Sequence, residues 1–212
     1  MAPFKVIIVG GGLAGALLAN GLQNHAVDVT VYERDEKDTE REGYQIRLGE
    51  SAMLGFHACL RDQDVAAIAR SFGQSSESGS TAPTIMSPQY EEILNLTAIP
   101  SYAKSFAISR VGLYDILTGP LVRNGRVKYG NAFSRCDIIR DVDGNERVRA
   151  YFSDSSFDDC DILIGADGSR SRVSSGRSRT LVTEPELTGM KGKRRSRTAE
   201  SCLYQDSLVL SC

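Results

Sequence analysis

Apolar positions along the chain change period from one stretch to the next, and each period predicts an element. Phe4 to Val9 is a short run rich in β-branched residues, the pattern of a buried strand. From Ala16 the residues Leu17, Leu18 and Leu22 mark one face of a helix that runs out near Asn24-His25. Val27, Val29 and Val31 alternate as a second strand, which ends at Tyr32-Glu33-Arg34. The charged run Asp35 to Glu42 reads as a solvated loop, and Gly43 to Leu48 as a short extended segment. Ser51 to Arg70, with Leu54, Phe56, Leu60, Val65 and Ile68 and no proline, predicts one helix. Gly73 to Pro83 is rich in Ser, Gly and Thr, which predicts a flexible connection, and Thr84 to Thr97 predicts extended chain. Ile108 closes a further strand, after which Val111, Tyr114 and Leu117 share a helical face. Val148 to Phe152 and Asp161 to Ile164 flank the polar turn 153–156 and predict a hairpin. Beyond Ser174 neither a helical nor a strand period continues.

The junction between the first strand and first helix carries chemistry. Gly10, Gly12 and Gly15 occupy the glycine positions of G-x-G-x-x-G, directly after a strand and opening a helix. In such a unit Gly10 makes the tight turn, Gly12 lets the backbone approach a pyrophosphate, and Gly15 lets the helix pack closely on the strand. The unpaired amides and positive dipole end of the helix form an anion site. Glu33 follows at the end of the second strand, eighteen residues after Gly15, where a carboxylate can accept hydrogen bonds from ribose hydroxyls.

Two later stretches add to this. Arg110 sits where a strand gives way to a helix, and it is either a guanidinium turned into a cleft or an exposed helix-start charge. Gly165-Ala166-Asp167-Gly168-Ser169-Arg170-Ser171 reads as a strand end, a sharp turn carrying an acid, and a helix start capped by serine. Arg47 is either a surface charge or a planar fork beside phosphate oxygens.

Composition narrows the function classes. The 212 residues suit one sizeable domain, and 41% hydrophobic with 25% charged residues is an ordinary globular balance. A net charge of −2 gives no general reason to expect nucleic acid, and Ile7 to Ala19 is too short to cross a bilayer, so a cytoplasmic protein is expected. Five cysteines without a C-x-x-C pair read as reduced thiols, and two histidines, His25 and His57, leave no metal cluster. Asn95-Leu96-Thr97 matches a glycosylation acceptor by chance alone if no secretory signal accompanies it.

Gly10 to Gly15 with Glu33, the Arg110-Val111-Gly112-Leu113 junction, and Asp161 to Ser171 together resemble the FAD-dependent aromatic-type monooxygenases, the single-component flavoprotein hydroxylases. The resemblance covers roughly residues 4–173. It implies an α/β fold: a Rossmann-like FAD-binding βαβ domain over 1–173, with part of an inserted substrate-domain sheet near 84–105. It implies that Gly10, Gly11, Gly12, Leu13, Ala14 and Gly15 cradle the FAD pyrophosphate, that Glu33 holds the adenosine ribose, and that Arg34 lies along the adenine. Arg47 and Arg110 would approach the phosphate and flavin, while Asp167 and Gly168 would contact FAD and help handle the nicotinamide donor. NAD(P)H would reduce the flavin, and O₂ would be the oxygen source for hydroxylating a small aromatic or polyketide-like substrate, with no nucleic acid or membrane partner. No residue is singled out as catalytic, and no metal is implied.

Residues 174–212 depart from the family pattern. They hold seven Lys/Arg and four Asp/Glu, and no Gly-Asp motif of the kind the family carries in the long stretch that follows its Gly-x-Asp-Gly turn. An irregular, disordered basic tail is therefore expected, and with it a truncated chain that retains flavin weakly and hydroxylates poorly alone. The competing reading is a non-catalytic FAD or nucleotide-binding module. An NAD-dependent dehydrogenase is disfavoured by the Gly165 to Gly168 turn and by the long excursion between strands.

Overall fold

A computed structural model describes residues 4–40, 43–72, 84–96, 105–169, 171–175, 203–204 and 207–211. The chain divides into two compact units, one of Met1–Gly15, Ala26–Asp38 and Gly125–Cys212, the other of Ala16–His25 and Thr39–Asn124. The elements, in order, are β1 (Lys5–Val9), α1 (Leu13–Asn24), β2 (Asp28–Tyr32), β3 (Gln45–Gly49), α2 (Glu50–Cys59), α3 (Asp62–Arg70), β4 (Thr84–Met86), β5 (Glu92–Asn95) and β6 (Ser105–Ser109). There follow α4 (Arg110–Arg123), β7 (Val127–Lys128), β8 (Phe133–Arg140), β9 (Glu146–Phe152), β10 (Phe157–Cys160), β11 (Ile162–Gly165), α5 (Arg172–Ser175), β12 (Leu203–Tyr204) and β13 (Ser207–Ser211).

The first unit is an α/β arrangement on a sheet of order β12-β13-β11-β1-β2-β7. Its strands are parallel except β12, which runs antiparallel to β13. β1 lies inside the sheet, with Ile8 opposite Ile164 on one side and Val31 on the other. Val6 to Val9 are all buried, which explains their unbroken apolar run: a parallel strand covered on both faces has no polar side to show. A three-stranded antiparallel sheet, β10-β9-β8, supplies Phe133, Val148, Ala150, Phe152 and Cys160 to a core shared with Ile7, Val9, Tyr32, Leu163 and Val173. Tyr32 stacks on Phe152 with ring centroids 4.0 Å apart.

The partner of β9 in its hairpin is β10, not the Asp161–Ile164 segment that the apolar pattern suggests. Phe157-Asp158-Asp159-Cys160, to which the apolar pattern assigns no element, carries two acids, and both are engaged. Arg149 donates to Asp159 through Nε at 2.7 Å and Nη2 at 2.9 Å, and Lys5 Nζ and the Tyr32 hydroxyl reach Asp158 at 2.5 and 2.7 Å. Cross-strand pairing of this kind lets an acidic segment sit in a sheet. Freed from the hairpin, β11 joins the parallel sheet beside β1. β7 and β8 have no counterpart among the elements expected from sequence. The basic cluster 191–197 lies outside the described residues, whereas Ser207–Ser211, within the stretch expected to be irregular, pairs as β13 with β11.

In the second unit β3 and β6 pair antiparallel, with Arg47 opposite Ala107. α4 buries Leu113, Tyr114, Leu117, Thr118, Pro120 and Leu121, while Val111, expected on the same face, is only half-buried. Asn20, itself buried, donates to the carbonyls of Ala16 at 2.8 Å and Leu117 at 2.7 Å, tying α1 to α4. The single helix expected over 51–70 is two. Leu60 turns to extended φ −111°, ψ 160°, and α3 restarts with Asp62 and Asp64 in its first turn, where acids favour a helix N-terminus. The break keeps Phe56, Leu60, Val65 and Ile68 buried but leaves Leu54 exposed. β4 and β5 form a small antiparallel hairpin within the stretch expected to be extended, with Ile85, Met86, Tyr90, Ile93 and Leu94 exposed.

Burial, with Asp158 next to it, raises the Tyr32 phenol above its ordinary range, and burial pushes the Cys160 thiol up to about 12. Both groups are neutral when protonated, so the stability they hold is complete below the ordinary values of 9.0 and 10.0 and is lost as pH rises beyond them. Urea unfolding is expected to give equal stability at pH 7 and pH 8 and a clear fall by about pH 10.5. Tyr32→Phe should lower stability at pH 7 by about 1–2 kcal/mol and make that alkaline fall shallower, and an unchanged pH profile would contradict the assignment.

Candidate functional site

The turn after β1 is held on both sides by other parts of the first unit. Gly10 has φ +105°, a region that favours glycine, and its amide donates to the Tyr32 carbonyl at 2.8 Å. A Cβ on Gly10 would lie 2.4 Å from the Ala166 carbonyl oxygen and 2.8 Å from the Asp167 amide nitrogen. Ala166 donates its own N–H to the Val9 carbonyl at 2.7 Å. Two turns separated by about 150 residues of chain are thus packed backbone on backbone. A Cβ on Gly15 would meet the Gly10 carbonyl oxygen at 2.0 Å and the Ala166 methyl at 3.2 Å. Gly12 differs from both: a Cβ there would meet nothing within 4 Å. The side of Gly12 is open, with Leu13 and Ala14 beginning α1 behind it, so the turn presents bare backbone at a helix N-terminus.

Glu33 lies just past the end of β2 and is buried. Its Oε2 accepts from the Gly11 amide at 2.7 Å and its Oε1 from the Asp35 amide at 3.0 Å. Its own backbone is clamped by residues 128–131: the Glu33 amide donates to Lys128 O and the Glu33 carbonyl accepts from the Asn131 amide, both at 2.9 Å. A carboxylate offers about four lone-pair directions, so two are left for a ligand. Neither the bond to Gly11 nor the support from 128–131 is foreshadowed by the spacing of the glycine fingerprint. Arg34, next in the chain, is exposed, with its guanidinium 3.6 Å from Asp35.

Gly168 has φ +84° at the second turn. Asp167 Oδ2 accepts from the Arg172 amide at 2.7 Å, so the first amide of α5 is met by Asp167 rather than by the serine expected as cap. Asp reaches it because the Gly165–Gly168 turn doubles back, with the Ser171 amide bonded to Gly168 O at 3.0 Å. Asp167 Oδ1 is buried without a hydrogen-bond partner among the described residues. A buried carboxylate oxygen left open beside a backbone cradle is an acceptor awaiting a donor.

Arg47 and Arg110 belong to the second unit. Arg47 is on β3, and Arg110 opens α4 with its amide donating to Tyr44 O at 3.0 Å and its guanidinium 5.5 Å from the Tyr44 ring centroid. Ser109 caps α4, its Oγ accepting from the Gly112 amide at 3.3 Å. Gly10 to Gly15, Glu33, Asp167 and Gly168 are therefore brought together within one unit, and the two arginines are neighbours of the β3–β6 pair in the other. Among the described residues no three His, Cys, Asp or Glu side chains converge to hold a metal ion, and no helix is long and apolar enough to cross a membrane.

Residues 3–46 match the family model for an FAD binding domain. The chain is 30% identical over 171 residues to 3-amino-4-hydroxybenzoate 2-monooxygenase of Streptomyces cremeus, covering 80% of this chain and 41% of that protein. It is 27% identical over 211 residues to the dual O-methyltransferase/FAD-dependent monooxygenase elcB of Phaeosphaeria nodorum, covering 96% of this chain and 21% of that protein. A crystal structure from Photorhabdus luminescens subsp. laumondii TTO1, assigned as an FAD containing monooxygenase, superposes with a TM-score of 0.65 at 25% identity, covering 81% of this chain and 41% of that one. The chain thus spans between about one fifth and two fifths of the length of the proteins it matches.

The glycines should separate cleanly in a stability experiment. Gly15→Ala forces a Cβ onto a backbone oxygen, and a loss of about 3 kcal/mol in urea unfolding is expected. Gly12→Ala points into open space and should stay within about 0.5 kcal/mol of the parent chain. Equal losses for the two would mean that the cradle is not open on its Gly12 side.

Proposed function

Starting from a chain that is a relative of the FAD-dependent monooxygenases, we propose that this protein binds FAD in the cradle between β1 and α1 and serves as the FAD-binding part of an NAD(P)H-dependent monooxygenase. The observation that carries the reading is the pairing of an open backbone at Gly12 with a buried, unpartnered acceptor at Asp167 Oδ1, both built around Gly10. The residues fit such a group. Gly10, Gly11, Gly12, Leu13, Ala14 and Gly15 form the turn that receives the pyrophosphate; the amides of Gly10 and Gly11 are held by Tyr32 O and Glu33, so the amides at the start of α1 are the ones matched to anionic oxygens. Glu33 takes the ribose hydroxyls with the lone pairs its backbone bonds leave open, and Arg34 lies along the adenine. Asp167 and Gly168 contact the cofactor from the second turn, and Arg47 and Arg110 are assigned as further cofactor-binding residues.

When bound, FAD supplies the two-electron chemistry that links NAD(P)H oxidation to insertion of one oxygen atom of O₂ into a small aromatic or polyketide-like substrate. The chain's own residues bind, orient and shield. The buried Glu33 selects unphosphorylated ribose through its charge, and the helix N-terminus offsets pyrophosphate charge. The region 84–105, with the β4–β5 hairpin, forms part of the substrate side. We place the protein in the cytoplasm, on the reading of its odd number of cysteines, with no C-x-x-C pair, as reduced thiols.

Reconstitution with FAD followed by gel filtration tests this. The expected result is saturable FAD binding that is partly lost on the column, with Gly12→Ala weakening it about tenfold or more at an unchanged thermal midpoint. No binding in an equilibrium titration of FAD into the same protein would overturn the reading. Flavin retained while NADH and NADPH are left unconsumed with an aromatic substrate and O₂ would favour the non-catalytic module instead.

A further inference from the structure

Glu33 uses both carboxylate oxygens on the main chain, and this gives it a task apart from ribose contact. Its Oε2 meets the Gly11 amide at 2.7 Å, and a Cβ on Gly11 would lie 3.1 Å from that oxygen and 3.2 Å from the Glu33 Cβ. The carboxylate is therefore wedged against the middle of the glycine turn. It is buried there, and its own main chain is fixed by bonds to Lys128 and Asn131. Gly130, between those two, has φ +70°, and its amide donates to Asp35 O at 3.1 Å, so residues 128–131 form a strap along residues 33–35. The other flank of the turn is held by the Ala166–Asp167 peptide against Gly10.

We propose that Glu33 is a positioning residue for the phosphate cradle: its charge-assisted bond to the Gly11 amide sets the turn's conformation in the nucleotide-free protein, and the 128–131 strap holds Glu33 in place to do so. Deepening the FAD reading above and resting on it for its ligand, this makes Glu33 act on the pyrophosphate end of the cofactor as well as on the ribose. A bond from an amide to a buried carboxylate is stronger than one between neutral groups, so it is suited to hold a glycine-rich turn that would otherwise sample many conformations.

Two readouts test this, and the first needs no nucleotide. In the nucleotide-free protein, the Gly11 amide should exchange with deuterium at least about tenfold more slowly than in Glu33→Gln, whose amide group cannot accept at both sites. A Gly11 amide that exchanges in the parent chain at the rate of an unstructured peptide would overturn the proposal whether or not any variant folds. The second readout compares FAD with an FAD analogue lacking both adenosine ribose hydroxyls. If Glu33 positions the turn, Glu33→Gln and Glu33→Asp each weaken the analogue by about tenfold, although the hydroxyls are gone. If Glu33 acts only on the ribose, both variants bind the analogue as tightly as the parent chain does, which overturns the proposal. Should the parent chain bind no FAD at all, the FAD reading fails and the exchange of the Gly11 amide alone decides the role of Glu33.

Discussion

The close approach of two backbones, at Gly10 and at the Ala166–Asp167 peptide, is the constraint on which the site depends. A side chain at Gly10 would need space already taken by a carbonyl oxygen 2.4 Å away, and one at Gly15 would overlap the Gly10 carbonyl. The turn can therefore exist only if β1 and β11 are in register, with Val9 opposite Gly165, so that both strands end at the same level of the sheet. The apolar runs of Val6–Val9 and of Leu163 and Ile164 put those strands there by burying them on both faces. Sheet register, more than any one side chain, places a carboxylate from the distant turn beside the glycines.

A second layer of control comes from charge. The antiparallel β8–β10 sheet closes over the Tyr32–Phe152 stack, and its edge is acidic, yet each acid meets a cation or a hydroxyl from a neighbouring strand. Lys5 links the two sheets directly, its amide bonded to Asp161 and its ammonium to Asp158. The strand that anchors the glycine turn is thus tied at its far end as well, so movement at either end of β1 is resisted.

The parts of this arrangement that were legible from sequence are the ones encoded locally. The β1–α1–β2 unit announces itself through Gly10, Gly12 and Gly15 and through the alternation of Val29 and Val31, and the strand-to-helix junction at Ser109-Arg110 through a change of period. What escaped depends on partners remote in the chain. β10 has no apolar period to show and makes sense as a strand only once Arg149 and Lys5 are placed beside its acids, and the helix over 51–70 looks continuous because nothing local reveals that Leu60 must turn inward while Asp62 restarts the coil. The two-residue β7 is too short to show any period, and in β13 only Leu208-Val209-Leu210 is apolar. Within the site, Glu33 was recognisable by its distance from Gly15, but its bond to Gly11 and its support by Asn131 belong to the fold and have no signature in spacing.

The Gly10–Ala14 turn and the Asp167–Gly168 turn are proposed to form one nucleotide site. A titration of FAD into isotopically labelled protein, followed by backbone amide resonances, tests it most directly. Gly11, Gly12, Leu13, Ala14, Asp167 and Gly168 are expected to shift together along one saturating curve, while the strands of β8–β10 stay still. Shifts confined to another region, or a glycine turn that responds while Asp167 and Gly168 do not, would contradict it.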